Sequence, residues 1–208
     1  MSHIEFQLSK RLFAWLSSHK NTAYEALIAP RKKMLLGSLK GTIVEIGAGT
    51  GPNLHYYPQG INYIAVEPNT FMHGYLKKEA ASLGIMIDIR DCAAEDIRIK
   101  DGSIDAVVGT LVLCSVANQS KVLREIFRIL KPGGTYCFIE HVAAPKKSAL
   151  RAIQHLLRPC WRLISDGCYP DRETLAVIQM SGFTTIEYES FRTGAPVVSP
   201  HIAGRAVK

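Results

Sequence analysis

A glycine-rich segment holds the residues with the clearest chemical potential. Residues 44–51 read Val-Glu-Ile-Gly-Ala-Gly-Thr-Gly, so an apolar run leads directly into closely spaced glycines. Because glycine has no side chain, Gly47, Gly49 and Gly51 let the backbone turn sharply and approach a ligand. The pattern predicts a strand, a ligand-binding loop and a helix that starts near Asn53. A plain glycine turn is the alternative.

An acidic residue supports the ligand-binding interpretation. Glu67 follows Gly47 by about twenty positions, where an acid can accept hydrogen bonds from both hydroxyls of a ribose. Nicotinamide-dependent enzymes share this acid, but their fingerprint needs a further glycine where this chain has Pro52. Their loop also holds a pyrophosphate, whereas the methionine zwitterion and sulfonium of S-adenosylmethionine (SAM) suit loop amides and nearby carboxylates. The combination favours SAM as the cofactor, with Glu45 and Asn53 beside it.

These residues need a frame, and strand-like and helix-like segments alternate along the chain. Short apolar runs predict strands at residues 42–46, 62–66, 85–89, 104–113 and 135–140. Helical spacing predicts helices at residues 70–83, 119–130 and 171–181, and Pro132 and Gly133 should end the second of them. The alternation indicates a Rossmann-like, doubly wound α/β fold with a mostly parallel sheet. Two further runs predict a C-terminal antiparallel hairpin, at residues 183–188 and 201–207.

The order of these motifs resembles class I SAM-dependent methyltransferases over roughly residues 41–140. The resemblance is carried by the glycine loop and by residues 66–69, 101–105 and 130–134. It implies that the three glycines of the loop line the methionine part of SAM and that Glu67 holds the ribose. It also implies that Pro68 and Asn69 flank the adenine.

The same resemblance predicts further cofactor contacts after the third and fourth strands. Many relatives place an adenine-binding Asp where this chain has Ala93. Adenine recognition is therefore expected to rest on backbone groups near Ala93 and Ala94, unless Asp91 substitutes. Thr110 and Leu111, at the end of the fourth strand, are expected to pass close to the methionine and the sulfonium.

A closer resemblance covers the second half of the chain. Four unusual segments look, in order, like the family of small, membrane-associated alkyl-thiol methyltransferases: residues 109–116, 140–144, 166–168 and 200–208. This implies methyl transfer from SAM to a small, lipophilic acceptor such as a thiol. Animal members carry a hydrophobic N-terminal membrane anchor, which is not expected here because no apolar run approaches the length of a membrane span.

Two side chains are candidates for helping the acceptor to lose its proton. A thiolate that attacks a sulfonium cancels charge, so a dry, apolar site favours the reaction. A free thiol has a pKa near ~8.5 and therefore needs only modest help. His141 stands at the carboxyl end of the fifth strand, where open α/β sheets place their sites, and Asp166 is the second candidate. The structural alternatives are a histidine bonded to a carbonyl and an aspartate that caps a turn.

The cysteines predict buried free thiols rather than a metal centre. They stand at five positions: Cys92, Cys114, Cys137, Cys160 and Cys168. Their number is odd, and no cysteine and histidine pair shows the spacing of zinc ligands, so no metal site is expected. Cys114 and Cys168 are expected in the core or in a lid, because methyl transfer needs no covalent intermediate.

The net charge of +7 and two segments that combine apolar with basic side chains bear on what the protein binds. Residues 1–40 begin with apolar and basic side chains at helical spacing, and residues 143–169 match no core element of the sheet. We expect both to form a lid over the substrate site, within a single domain that spans residues 1–208. Basic amphipathic segments can also lie on a membrane surface, so the expected cytoplasmic location leaves a peripheral membrane contact open.

Alternatives to thiol methylation stay open at this stage. They are methylation of an amine such as a phospholipid headgroup, SAM binding without catalysis, and methylation of nucleic acid. A nucleic-acid base is the least expected target, because residues 113–116 read Leu-Cys-Ser-Val instead of an Asn-Pro-Pro-Tyr type of motif. The expected partner is a small-molecule substrate, and the oligomeric state is left open.

Overall fold

A computed structural model describes residues 3–19 and 22–208, in which strands and helices alternate. The helices are α1 (His3–Ser18), α2 (Thr22–Leu36), α3 (Thr70–Ser82), α4 (Gln119–Ile129), α5 (Ala149–Ile164) and α6 (Thr174–Gln179). The strands are β1 (Thr42–Ile46), β2 (Asn62–Val66), β3 (Ile87–Arg90), β4 (Ile104–Thr110), β5 (Leu130–His141), β6 (Thr185–Arg192) and β7 (Pro200–Val207). A single 3-10 turn, Leu54–Tyr56, follows the glycine loop.

The strands form one sheet in the order β3-β2-β1-β4-β5-β7-β6. β1 pairs in parallel with β2 and β4, and β5 continues the parallel part. β7 runs antiparallel to both β5 and β6. The expectation of a Rossmann-like α/β fold with a C-terminal antiparallel hairpin is therefore confirmed.

Several element ends differ from expectation where contacts distant in sequence decide them. β4 ends at Thr110 instead of 113, because Leu111 leaves the strand with a positive φ of 56°. β5 begins at Leu130, before the expected Pro-Gly-Gly turn, because Leu130 pairs with Ile104 across a register shift. The segment 143–169, expected as an insertion outside the core elements of the sheet, contains the four-turn helix α5.

Two apolar layers cover the sheet, one on each face. Successive side chains of a strand point to opposite faces, so Val44 and Ile43 of β1 belong to different layers. Val44 packs in the layer that contains α4 and α6, whereas Ile43 packs in the layer that contains α3 and the end of α2. Because β1 is covered on both faces, it is held firmly and can position the loop that follows it.

The parallel register brings the expected site residues to one edge of the sheet. Ile46, the last residue of β1, pairs with Val66 of β2 and with Gly109 of β4. The residues that follow these positions, Gly47 and Glu67, therefore leave the sheet side by side. Thr110 ends β4 at the same edge.

Helix α1 lies across this edge and packs against α3 and α5. Asn69 connects α3 to α1, since its side chain caps α3 at Phe71 N and its Nδ2 donates to Lys10 O of α1 over 3.2 Å. Among residues 3–19 and 22–208, no helix combines the length and the apolar character needed to cross a lipid bilayer.

Candidate active site

A cavity of about 660 Å³ lies at the carboxyl edge of β1, β2 and β4. Its volume falls within the usual range for small-molecule sites, and its position follows the rule for open α/β sheets. Ten of the expected cofactor residues line it: Glu45, Gly47, Gly49, Asn53, Glu67, Pro68, Ala93, Ala94, Thr110 and Leu111.

The glycine loop has the conformation that its composition suggests. Gly47 and Gly49 have φ angles of 62° and 56°, in the region that disfavours other residues. Gly47 N donates to Val66 O over 2.8 Å, which ties the start of the loop to β2. A Cβ on Gly47 would lie 2.6 Å from Val112 Cγ2, so only glycine fits between the loop and the segment after β4.

Two expected cofactor residues, Gly51 and Asn69, are not among the residues that line the cavity. A Cβ on Gly51 would lie 2.8 Å from Leu54 Cδ1 and 2.9 Å from Leu76 Cδ1. Gly51 therefore serves the packing of the loop against α3. Asn69 is the N-cap of α3 and donates to the backbone of α1, so it links these two helices without lining the cavity.

Glu67 presents a fixed carboxylate to the cavity. Its Oε2 accepts a hydrogen bond from Gly49 N over 2.8 Å, and its Oε1 accepts one from Asn69 N over the same distance. Burial raises the pKa of Glu67, and these two amides act in the opposite direction. Each oxygen keeps lone pairs for further donors, which is what a pair of ribose hydroxyls requires.

Glu45 organises the floor of the cavity through three donors. Its carboxylate accepts hydrogen bonds from Asn53 Nδ2 (2.9 Å) and from the hydroxyls of Tyr57 and Tyr63 (2.7 Å each). Burial raises the pKa of Glu45, and the three hydrogen bonds act against that shift. Asn53 Nδ2 also reaches Thr110 Oγ1 over 3.0 Å, which joins the glycine loop to β4. The two tyrosines were not expected from the sequence.

The segment after β4 is held by a buried acid at the end of β5. Glu140 Oε1 accepts hydrogen bonds from Val112 N (3.0 Å) and Leu113 N (2.9 Å). Burial raises the pKa of Glu140 to about 7, although these amides lower it. Leu111 adopts its positive φ just before this anchor, and non-glycine residues with such strain are concentrated at functional sites. The sequence showed Glu140 only as part of a motif.

Asp166 lines the cavity. Burial raises its pKa, while Lys10 of α1 and the side chain of Asn69 lower it. Its charge also acts to raise the pKa of Glu67. Asp166 and Glu67 therefore line the same cavity and interact through their charges.

His141 does not line the cavity. It is 4% exposed, and its Nε2 lies 2.9 Å from Cys168 Sγ. Cys114 and Cys168 are both buried beside it, consistent with the expected core position of the two thiols. The rule that sites lie at carboxyl strand ends predicts the correct edge of the sheet. It does not predict whether a given side chain at that edge lines the cavity.

The lining of the cavity also contains polar residues of α2 that the sequence did not reveal. Tyr24, Glu25 and Lys32 line the cavity. Lys32 is 1% exposed, and its Nζ donates to Glu25 Oε1 and Oε2 over 2.6 and 2.9 Å. Residues 22–36 carry only a weak helical pattern of apolar side chains, and residues 1–40 were expected only to form a lid.

The hydroxyl of Tyr24 has a defined partner in β7. His201 Nδ1 lies 3.1 Å from Ser199 O, and a carbonyl can only accept, so the proton of the ring sits on Nδ1. Tyr24 OH therefore donates to His201 Nε2 over 3.0 Å. Burial lowers the pKa of His201 to about 4, so the ring is neutral at physiological pH.

Sequence comparison identifies relatives across nearly the whole chain. A methyltransferase domain model matches residues 44–138. The chain is 35% identical to human thiol S-methyltransferase TMT1A and 37% identical to human thiol S-methyltransferase TMT1B. Each alignment covers 97% of this chain and 88% of the relative.

Solved structures share the fold at lower identity. A possible histamine N-methyltransferase from Thermotoga maritima aligns with a TM-score of 0.63 at 21% identity, over 96% of this chain and 91% of the other. Geranyl diphosphate C-methyltransferase from Streptomyces coelicolor, in complex with S-adenosyl-L-homocysteine, aligns with a TM-score of 0.66 at 17% identity. That alignment covers 88% of this chain and 81% of the other. The extent of the sequence similarity, together with the fold and its glycine loop, places the chain in the family of SAM-dependent methyltransferases that contains TMT1A and TMT1B.

Proposed function

We propose that the chain transfers the methyl group of SAM to the sulfur of a small, lipophilic thiol. The observation that carries the proposal is the apolar lining of the cavity beside the glycine loop, which includes Phe13, Ile28, Val112 and Val116. A thiolate and a sulfonium cancel their charges in the transition state, so poorly solvating walls favour that reaction. The names of the two human relatives point to the same acceptor class.

The cofactor contacts follow from the loop geometry. Glu67 would accept the two ribose hydroxyls, and the amides around Gly47 and Gly49 would face the methionine part. Asp166 would join Glu67 on the ribose side instead of acting on the acceptor. Thr110 and Leu111 would then lie beside the sulfonium, at the boundary between the cofactor and the apolar wall.

Proton removal requires no dedicated histidine in this arrangement. His141 lies outside the cavity lining, and Asp166 interacts with Glu67 through its charge. A thiol with a pKa near ~8.5 is already ionised to about 3% at neutral pH. We therefore propose that the acceptor loses its proton before transfer, so that the rate rises with pH up to the pKa of the acceptor. An acceptor of lower pKa should move the whole profile to lower pH.

Residues 1–40 and 143–169 would act together as the lid. Lys10, Phe13 and Ser17 of α1 line the cavity, and so do Asp166 and Gly167, which follow α5. Closing such a lid excludes water from the reacting sulfur atoms. Lid opening would admit the acceptor and release the methylated product.

The outer faces of the same helices suit a peripheral membrane contact. α1 and α5 expose large apolar side chains, which are Leu8, Leu12, Leu16, Leu156, Leu163 and Ile164. Basic residues lie among them, including Arg11, Arg158 and Arg162. An amphipathic, basic surface of this kind binds anionic lipid in a salt-dependent manner. A lipophilic acceptor could then pass from the bilayer to the lid.

The acceptor class is tested with SAM labelled in its methyl group. Matched alkyl thiols, alcohols and amines of the same carbon skeleton should show transfer to the thiol alone. Transfer to the amine, or to the headgroups of added vesicles, would replace the thiol proposal. Absence of transfer despite SAM binding would favour a SAM-binding protein without catalysis. Sedimentation with anionic vesicles at low and high salt tests the membrane contact separately.

A further inference from the structure

A buried cluster of two thiols and one imidazole lies outside the cofactor cavity. Cys114 follows β4, His141 ends β5, and Cys168 precedes α6, so three distant segments bring their side chains together. One ligand atom from each residue lies within 4.8 Å of the other two, and all three residues are at most 6% exposed. None of the three lines the cavity.

The proposed methyl transfer gives this cluster no task. Direct displacement at the sulfonium forms no covalent bond to the protein, so neither thiol is needed as a nucleophile. His141 Nδ1 is buried and has no hydrogen-bond partner among the described residues. This nitrogen is not the atom that belongs to the cluster, because Nε2 is the ring nitrogen that lies beside Cys168 Sγ.

The composition of the cluster fits a thiophilic metal ion. Two cysteines and one histidine form a known ligand set for zinc, with a fourth position taken by water or by an exogenous ligand. Zinc bonds of about 2.3 Å to sulfur and about 2.0 Å to nitrogen place tetrahedral ligand atoms roughly 3.5–3.8 Å apart. His141 Nε2 and Cys168 Sγ lie 2.9 Å apart, so they would separate slightly on binding an ion.

We propose that Cys114, His141 and Cys168 bind one Zn²⁺ ion. Both thiols would release a proton to solvent, and the two thiolates would balance the charge of the ion. The site would therefore be neutral overall. Because the site is neutral, the positive charge of the nearby Arg172, which donates to Leu113 O and Val116 O, would not repel it.

The position of the cluster gives the ion a defined effect on the cavity. Ser115 and Gly167, the chain neighbours of Cys114 and Cys168, both line the cavity. The ion would thus fix the segment after β4 against the lid segment after α5. Its removal should weaken SAM binding and lower the melting temperature, whichever acceptor the enzyme uses.

The test uses the full, tag-free chain, reduced and freed of metal with a chelator. Titration with Zn²⁺ should bind one equivalent, release two protons and raise the melting temperature. Titration with Co²⁺ should give the sulfur-to-cobalt charge-transfer bands and the intense visible bands of a tetrahedral site. C114S and C168S should each lose these bands, whereas C160S, which alters an exposed cysteine of α5, should keep them.

The wild-type titrations keep the proposal falsifiable if C114S or C168S does not fold. Reduced wild-type protein that binds no Zn²⁺ and gives no Co²⁺ charge-transfer band would overturn it. Retention of the bands in folded C114S or C168S would also overturn it, because the ion would then lie elsewhere. A Cys114–Cys168 disulfide in protein purified without reductant, combined with no metal binding after reduction, would show a redox pair instead.

Discussion

Replacing Glu67 with alanine gives the sharpest test of the cofactor site. The substitution removes the acceptor for Gly49 N and Asn69 N and the expected acceptor for the ribose hydroxyls. A hydrogen bond to a charged group contributes about 1.5–3 kcal/mol, and part of the loss is recovered when water enters the space. We expect a net loss of about 2–3 kcal/mol in SAM binding, which raises Kd by roughly 30- to 150-fold.

The same substitution should change the stability of the apo protein far less than it changes SAM binding. The pKa of Glu67 is raised in the folded state, so its charge lowers stability as the pH rises from the unfolded toward the folded pKa. Removing that buried charge offsets the two backbone hydrogen bonds that are lost. The melting temperature of apo E67A at neutral pH should therefore stay near that of the wild type, although SAM binds far more weakly.

Isothermal titration with SAM and with its demethylated product measures the effect, and thermal melting of the apo proteins monitors the fold. E187A, which alters an exposed acid of β6, serves as the matched control and should bind SAM normally. Unchanged affinity in folded E67A would refute the assignment of Glu67 to the ribose. An equal loss of affinity in E187A would show that net charge, not position, controls binding.

Three further changes test other parts of the structure. G47A should lower SAM affinity by on the order of tenfold or more, because its Cβ meets Val112. G60A, which has a positive φ but open space around it, should lose only about 1 kcal/mol of stability to backbone strain and keep its SAM affinity. Equal SAM affinity in both variants would contradict the clash. The wild type should lose stability as the pH rises from 4.5 to about 7, because Glu140 then ionises in a buried position. E140Q should remove that loss, a gain of about 3 kcal/mol at pH 8 in denaturant melts. A gain of the same size at pH 4 would show another cause. Deleting residues 1–20 should lower turnover more than tenfold with little change in melting temperature, since α1 supplies Phe13 to the cavity but little to the core; full turnover would remove α1 from the lid.

The parallel core of the fold was predictable because its signals are local. Runs such as 42–46 and 62–66 are apolar on both faces, which is typical of strands covered by helices on both sides. The ends of elements were less predictable. The apolar run 104–113 continues beyond β4 because Leu111 and Val112 line the cavity and Leu113 is buried, after the turn at Leu111 and beside the carboxylate of Glu140.

The cofactor half of the site was predictable for a similar reason. The glycine loop and Glu67 each follow a strand directly, so their separation along the chain translates into proximity at the sheet edge. The wall of the cavity that α2 contributes was not predictable, because the position of α2 in the sequence does not determine where it packs against the sheet. Tyr24 and its partner His201 are separated by most of the sequence, and no local pattern in either segment predicts their contact.

His141 lies at the predicted edge of the sheet but does not line the cavity. Glu140 and His141 are consecutive at the end of β5, so their side chains point to opposite faces of the sheet. Glu140 bonds the segment after β4, and His141 turns toward Cys168. The segments after β4 and after α5, which both line the cavity, therefore also meet at the end of β5, where local ligand spacing could not reveal a metal site because each segment contributes one residue. A site assembled in this way is visible only when the fold is known, and the Zn²⁺ and Co²⁺ titrations decide whether it is occupied.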